Sequence, residues 1–271
     1  QPGGGAQGPV APCDHDPGDG VGWLFAGLSL LLRTTTPLPA TPVLAPAPFG
    51  VGETLVFKGK FNLFRPCCAT LSVEAIDTVR GVPSYRFSFN SKISILGIFT
   101  SESQLTSWTG VDDFISRRFL KVMSDTRPPR QDFKIYPDSG FYRRNVDTAT
   151  KATSTVPLDD VAFFYYIRRV PLEVGRTYEY HNYWRKSQNP VRVQVLKREV
   201  MELPDGSKVN CLVLYPIVDE KNGMFSKTSN ARLWLTDDAR RIPVQIRSTY
   251  NFGDVTLILD RMTLAPGRRT E

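Results

Sequence analysis

The sequence predicts a mostly β protein: a large curved antiparallel sheet or half-barrel wrapped around one central helix, with a Pro/Gly-rich N-terminal extension. Three observations predict it. Apolar and polar residues alternate with period two from Thr54 almost to the C-terminus, the mark of half-buried antiparallel strands. One segment, residues 157–172, is instead apolar nearly all round for two helical turns. The composition changes abruptly near residue 50: the first 50 residues hold 9 Pro and 9 Gly, the remaining 221 only 12 and 11. The expected units are therefore an extension over 1–50, an antiparallel β domain over 51–264 and a short tail over 265–271.

Taken in order, the extension begins QPGGGAQGPVAPCDHDPGDG. Such a run cannot bury enough apolar surface to offset its backbone entropy, so it is expected to be disordered unless a partner surface holds it. Inside it lies one apolar island, GVGWLFAGLSLLL, residues 20–32. As a helix the island would reach about 20 Å, short of the roughly 30 Å hydrocarbon core of a bilayer. Trp23, Leu24, Phe25, Leu28, Leu30, Leu31 and Leu32 are expected to dock on a partner or a membrane surface; packing into the chain's own core is the alternative. A signal-peptide reading also exists, with Ala45-Pro46-Ala47 imitating a cleavage site, but the preceding flank is acidic and Pro48 would follow the cut. The chain starts at Gln1 without Met, which suggests an upstream peptide removed earlier.

In TLVFKGKF, Leu55, Phe57 and Phe61 fall on one face and Lys58 and Lys60 on the other; in SYRFSFN, Tyr85, Phe87 and Phe89 alternate with Arg86, Ser88 and Asn90. The same period runs through VRVQV (191–195), IPVQIRSTY (242–250) and DVTLIL (254–259). Turns are signalled at Arg80-Gly81, Pro137-Asp138-Ser139-Gly140, Pro204-Asp205-Gly206 and Asn222-Gly223, giving roughly ten to twelve strands. The exception, PLDDVAFFYYIRRVPL, opens with Asp159 and Asp160 and closes with Arg168 and Arg169 before Pro171. Acids at the start and bases at the end suit the helix dipole, and a helix so apolar has to be enclosed.

The formal net charge is +7, and the chain beyond residue 50 carries +9 of its own. Much of the excess comes as pairs: Arg117-Arg118, Arg143-Arg144, Arg168-Arg169, Arg240-Arg241 and Arg268-Arg269. A solvated face is one reading; a contact with phosphate, anionic lipid or an acidic protein is the other, with Arg117, Arg118, Arg143, Arg144, Arg240 and Arg241 as the candidates. Nucleic acid is not expected, because no recognition helix, zinc-finger spacing or RNA-binding signature accompanies the charge. Cys13, Cys67, Cys68 and Cys211 have no zinc-type spacing. They read either as buried thiols or as one disulfide joining Cys211 or Cys13 to Cys67 or Cys68.

Candidates for catalysis are few. His15 lies in the extension and His181 on the polar face of a strand. Asp237-Asp238 is a tempting carboxylate pair, but adjacent strand residues point to opposite faces, so a turn with Asp238 near Arg240 or Arg241 is the expectation. The nucleophile-elbow, phosphate-loop, dinucleotide and zinc-protease signatures are absent. No cofactor and no metal are expected.

GETLVF at the domain start, LDDVAFFYYIRR followed by PLEVG, and LWLTDDARRIPVQI followed by GDVTLIL resemble the bacterial exported proteins that share the domain of unknown function 3108. The resemblance spans about residues 49–264 and implies an extracytoplasmic β-rich domain with no assigned reaction. The expectation is thus a non-catalytic, periplasmic subunit peripheral to the membrane, held to a membrane protein complex by its extension. From its overall layout, a photosynthetic reaction centre with its antenna is one such host. A carrier holding a lipid or other apolar ligand, and an unrecognised enzyme, are the alternatives.

Overall fold

Strands with one apolar face can be satisfied in this chain only by pairing into a sheet large enough to enclose its own core, and the computed structural model has that form. It describes residues 42–61, 64–95, 99–124, 126–220, 224–250 and 253–266. A first meander consists of β1 (Thr54–Phe61), β2 (Phe64–Val79), β3 (Val82–Ile95), β4 (Phe99–Gly110), β5 (Ser116–Met123), β6 (Arg130–Tyr136), β7 (Phe141–Arg144) and β8 (Lys151–Ala152). After the helix α1 (Asp160–Tyr166) comes a second: β9 (Thr177–Tyr180), β10 (Val191–Glu202), β11 (Lys208–Ile217), β12 (Arg232–Thr236), β13 (Pro243–Tyr250) and β14 (Gly253–Thr263). The two are joined by antiparallel pairing of the first strand with the last, from Thr54 opposite Thr263 to Phe61 opposite Val255. The result is a 14-stranded antiparallel sheet in the order β8-β7-β6-β5-β4-β3-β2-β1-β14-β13-β12-β11-β10-β9.

Alternation decides which side chains line the inside. Across the first meander Leu55 stands opposite Leu71, Leu71 opposite Phe89 and Val73 opposite Phe87, all buried, while Lys58 and Lys60 face solvent. In the second, Leu212, Leu214, Leu233, Leu235, Ile246 and Leu257 continue the same lining. The hairpin between β2 and β3 turns through Arg80 (φ 49°) and Gly81 (φ 82°). Positive φ at both central residues is what a type I′ turn requires, and it matches the twist of the flanking strands. The Asn222-Gly223 turn lies outside the described residues.

Among the described residues α1 is the one α-helix, and none is long and apolar enough to cross a membrane. It is seven residues long, shorter than the apolar segment that announced it. Asp159 caps its start, accepting from the Val161 and Ala162 amides at 3.0 Å. Its end tightens, the Arg169 amide donating to the Tyr166 carbonyl at 2.9 Å, so that Arg168 and Arg169 leave the helical path. Every residue from Val161 to Tyr166 is buried. Tyr165 stacks on Phe87 with ring centroids 3.9 Å apart, Phe164 on Phe89 at 5.9 Å, and Phe163 meets Phe225 at 5.4 Å. Burying one such side chain is worth about 1.5–3 kcal/mol.

The end strands β8 and β9 are tied together by the chain around them. The Leu158 amide donates to Asn182 O at 2.6 Å, the Trp184 amide to Leu158 O at 3.1 Å, and the Thr153 hydroxyl to Trp184 O at 2.6 Å. Trp184, fully buried, contacts Phe119, Phe133 and Tyr142 edge-on.

The packed domain begins earlier than the composition break at residue 50. Phe49 is 1% exposed and meets Tyr165 at 4.9 Å and Phe87 at 5.7 Å, because an aromatic ring next to the first strand gains more inside than as part of a linker. At the other end Ala265 is buried, so the expected tail shortens. The docking candidates Trp23, Leu24, Phe25, Leu28, Leu30, Leu31 and Leu32 lie outside the described residues, as do Cys13, His15 and Arg268-Arg269.

Candidate functional site

The sequence strings GETLVF, FFYYIRR and LTDDARRIPV meet at the C-terminal end of α1. Arg168, with its side chain fully buried, donates through Nη1 to Glu53 Oε1 at 2.6 Å and through Nη2 to Glu53 Oε2 at 3.1 Å. A guanidinium fork on a carboxylate satisfies both charges at once, which is what a buried charge requires. The remaining donor, Nε, reaches Arg240 O at 3.0 Å, and Nη2 also lies 3.5 Å from Pro48 O. Arg169 holds the entering chain from both sides: Ala45 N donates to Arg169 O at 2.9 Å, and Arg169 Nε donates to Ala45 O at 2.7 Å. Arg241 adds a hydrogen bond to Val170 O.

Beside this junction is a groove of about 500 Å³ lined by Ala45–Pro48, Glu53, Ala239, Arg240, Leu264 and Ala265. Its walls are mostly small apolar side chains. It therefore suits extended chain or an aliphatic group.

The N-terminal end of α1 carries the second cluster. At inward positions of β4 and β5, where neighbouring strands place aromatic rings, the sequence has Ser107, Thr109 and Ser116, all fully buried. Buried hydroxyls need partners, and they form a chain: Ser107 to Thr109 at 2.8 Å, Thr109 to Ser116 at 3.2 Å, and Ser107 donating to Asp159 Oδ2 at 2.6 Å. Burial pushes the Asp159 carboxyl up to about 6, against these hydrogen bonds. Asp160 goes the other way: desolvation would raise it, but the Lys121 and Arg185 cations and hydrogen bonds from Lys121 and Tyr183, each 2.6 Å long, hold it below its ordinary value. Glu220, 3.6 Å from Arg185, is pushed up to about 7 by burial and by the charge of Asp160. Asp159 and the three hydroxyls are fully enclosed, whereas the side chains of Lys121 and Asp160 are partly exposed.

The other sequence candidates fall elsewhere. Arg117 forms a fork with Asp113, for which Gly110 makes room: a Cβ there would sit 2.1 Å from Asp113 Oδ1. Arg118 forms a fork with Asp132 at 2.9 and 2.8 Å and lies 4.5 Å over the Trp108 ring. Arg144 pairs with Asp147 at 3.3 Å, and Arg240 with Asp238 at 3.1 Å. Arg143 is exposed and rests 5.2 Å over Phe141. Asp237 pairs with Arg198, whereas Asp238 accepts from the Arg240 and Arg241 amides, so the two carboxylates diverge into a turn. His181 is exposed. Among the described residues no group of three or more His, Cys, Asp or Glu side chains is placed to hold a metal.

Cys211 is a buried free thiol, so the expected bridge at this residue is not formed. It lies on β11, five positions from β2 in the sheet order, roughly 24 Å along the sheet at the usual strand spacing. The Cα atoms of a disulfide come within about 7 Å. Burial and the charges of Glu199, Asp237 and Asp238 push the thiol up to about 12. Cys68 faces outward on β2.

Sequence reading missed Glu53 as the partner of Arg168 and Ser107 as the partner of Asp159. Both residues of the first pair lie in strings that carry the family resemblance, but nothing in the sequence pairs them. The family model for a protein of unknown function, DUF3108, matches residues 64–260. The chain belongs to that family. Comparison with curated proteins finds no match. Among solved structures, a β-barrel-like protein of domain of unknown function DUF1849 from Brucella abortus is 9% identical, with a TM-score of 0.46, covering 82% of this chain and 100% of the other. The hypothetical protein CT021 from Chlamydia trachomatis is 7% identical, with a TM-score of 0.34, covering 82% and 92%. Within the DUF3108 match lie α1, the cluster at its N-terminal end, Arg168 and Arg169 and the Asp238 turn, whereas Ala45, Pro48 and Glu53 precede it.

Proposed function

We propose that this DUF3108 protein is a non-catalytic extrinsic subunit, periplasmic and peripheral to the membrane, that attaches to a membrane protein complex through its N-terminal extension. The supporting observation is the grip on the root of that extension: Arg169 bonds Ala45 through both backbone and side chain, and Arg168 ties Pro48 to Glu53 and the Arg240 turn. A chain anchored so firmly where it enters the sheet can transmit a hold on residues 20–32 to the whole domain. On this reading the sheet curves around α1 as a rigid body, and the chemistry at both helix ends is structural.

The carrier alternative places an apolar ligand between sheet and helix. That space holds side chains, with Tyr165 3.9 Å from Phe87, so the groove beside Ala45–Pro48 is where a carrier would load.

Removing residues 1–41 keeps the Ala45–Arg169 link and tests the proposal. The truncated protein is expected to fold with unchanged stability and no longer to co-purify with the complex, while the full chain does. Retention of the truncated protein at full-length stoichiometry would overturn the attachment reading and favour the carrier.

A further inference from the structure

The net charge is not spread over the molecule. Residues 116–152 contain nine Lys or Arg against four Asp, a net +5 out of the chain's +7. These residues form β5 to β8, one side of the sheet. Their outward face carries a row of cations: Arg118 stands directly opposite Lys134, and Lys134 directly opposite Arg143. Three neighbouring strands put these charges within about 10 Å of one another.

Like charges directly opposite in a sheet are destabilising. Arg118 is offset by its fork with Asp132, but among the described residues neither Lys134 nor Arg143 has an ion-pair partner, and both are exposed. Arg130, also exposed, lies on the same face of β6 four residues from Lys134. Val146, in the loop after β7, stands 95% exposed beside this row. The outward aromatic rings are already covered by guanidinium groups: Tyr136 by Arg80 at 4.6 Å, Phe141 by Arg143 at 5.2 Å and Trp108 by Arg118 at 4.5 Å. Rings so covered are not free to stack on bases, which argues against single-stranded nucleic acid. Cations over rings beside a protruding aliphatic side chain suit the interfacial zone of a bilayer.

We infer that the outward face of β5–β7 binds the anionic headgroups of a phospholipid surface, with Lys134 and Arg143 as its centre. The inference deepens the attachment reading by giving the domain a second contact, separate from the extension.

The test is sedimentation of the full-length protein with phosphatidylcholine vesicles, with and without phosphatidylglycerol. Wild type is expected to bind more strongly when phosphatidylglycerol is present, and the gain should shrink with added salt. Lys134→Gln with Arg143→Gln is expected to lose about 25-fold of that gain, roughly fivefold per side chain, and to bind neutral vesicles as wild type does. Lys186→Gln with Lys208→Gln, exposed cations elsewhere, serves as the control and should change nothing. An unchanged melting temperature verifies the fold. The inference is overturned if wild type shows no gain, if the Lys134/Arg143 variant keeps it, or if the row binds an acidic polypeptide or RNA while ignoring vesicles. Loss of the gain together with undisturbed complex co-purification would separate this face from the extension and leave the attachment reading standing.

Discussion

At the C-terminal end of α1, Arg168 meets a full counter-charge, the two oxygens of Glu53 at 2.6 and 3.1 Å, and gives its remaining donor to a carbonyl. At the N-terminal end, Asp159 is as deeply buried but meets only two amides and a hydroxyl, with a second acid, Asp160, next to it. The difference teaches how one helix can carry charge at both ends of an apolar core. An ion pair neutralises the charge outright and depends on both partners, whereas hydrogen bonds alone leave a carboxylate that is costly whenever it is ionised.

Breaking the pair should have the largest effect. Arg168→Met leaves Glu53 buried without its partner and is expected to cost about 3–5 kcal/mol in urea denaturation. Arg168→Met combined with Glu53→Leu should recover most of that loss; a double variant as unstable as the single one would show that the carbonyl contacts, not the pair, hold this end together.

At the other end the effect is one of pH. Folding raises Asp159 from 3.8 to about 6, so its contribution to stability is fully present below 3.8 and is lost as pH rises through about 6. Acidification from pH 8 to pH 4 should therefore stabilise wild type relative to Asp159→Asn by on the order of 2–3 kcal/mol. Parallel pH curves for the two proteins would remove the contrast. Asn caps a helix about as well as Asp, and the Ser107 hydroxyl can turn to suit it.

A smaller change sharpens the comparison within that end. Lys121→Met removes the cation that holds Asp160 down and should cost about 1–2 kcal/mol at neutral pH. Because Asp160 is depressed, that contribution is present above 3.8 and is lost as pH falls through the folded value, so the variant and wild type should converge in acid. Least of all, Arg192→Gln breaks an exposed pair with Glu179 and is expected to stay within about 0.5 kcal/mol, a baseline for ion pairs that do not support the core.

Much of this architecture was legible in the residues. Period two located the strands because each has one wet face, and the apolar run located the helix because nothing about it was wet. The helix came out shorter than expected because its ends serve as contacts: Leu158 bridges to Tyr183, and Arg168 turns away toward Glu53. What periodicity does not carry is which strands become neighbours, so the pairing of β1 with β14 could not be read from either alone. The arginine pairs looked alike as letters, yet Arg168 is buried, Arg118 is tied to Asp132 and Arg143 is exposed over a ring, a distinction made by partners distant in sequence. Glu53 was hidden for the same reason: a lone acid before a strand signals nothing until its partner 115 positions away is known.

The seam between β1 and β14 has a consequence for how the protein is made. β2 follows β1 in the chain and pairs with it directly, but the other side of β1 waits for the last strand of the domain. A chain emerging from a ribosome or a translocation pore with its N-terminus first would therefore hold β1 as an open strand edge through nearly the whole of its synthesis. Closing that seam late carries a large loop-closure entropy and slows folding, and until then the edge is a template for pairing with another nascent copy. Once it closes, Gly50 lies against Ala265, where an added Cβ would stand 3.1 Å from the alanine methyl. Entry and exit of the chain are thereby locked together, and a product truncated within β14 would lack part of the partner edge that seals β1.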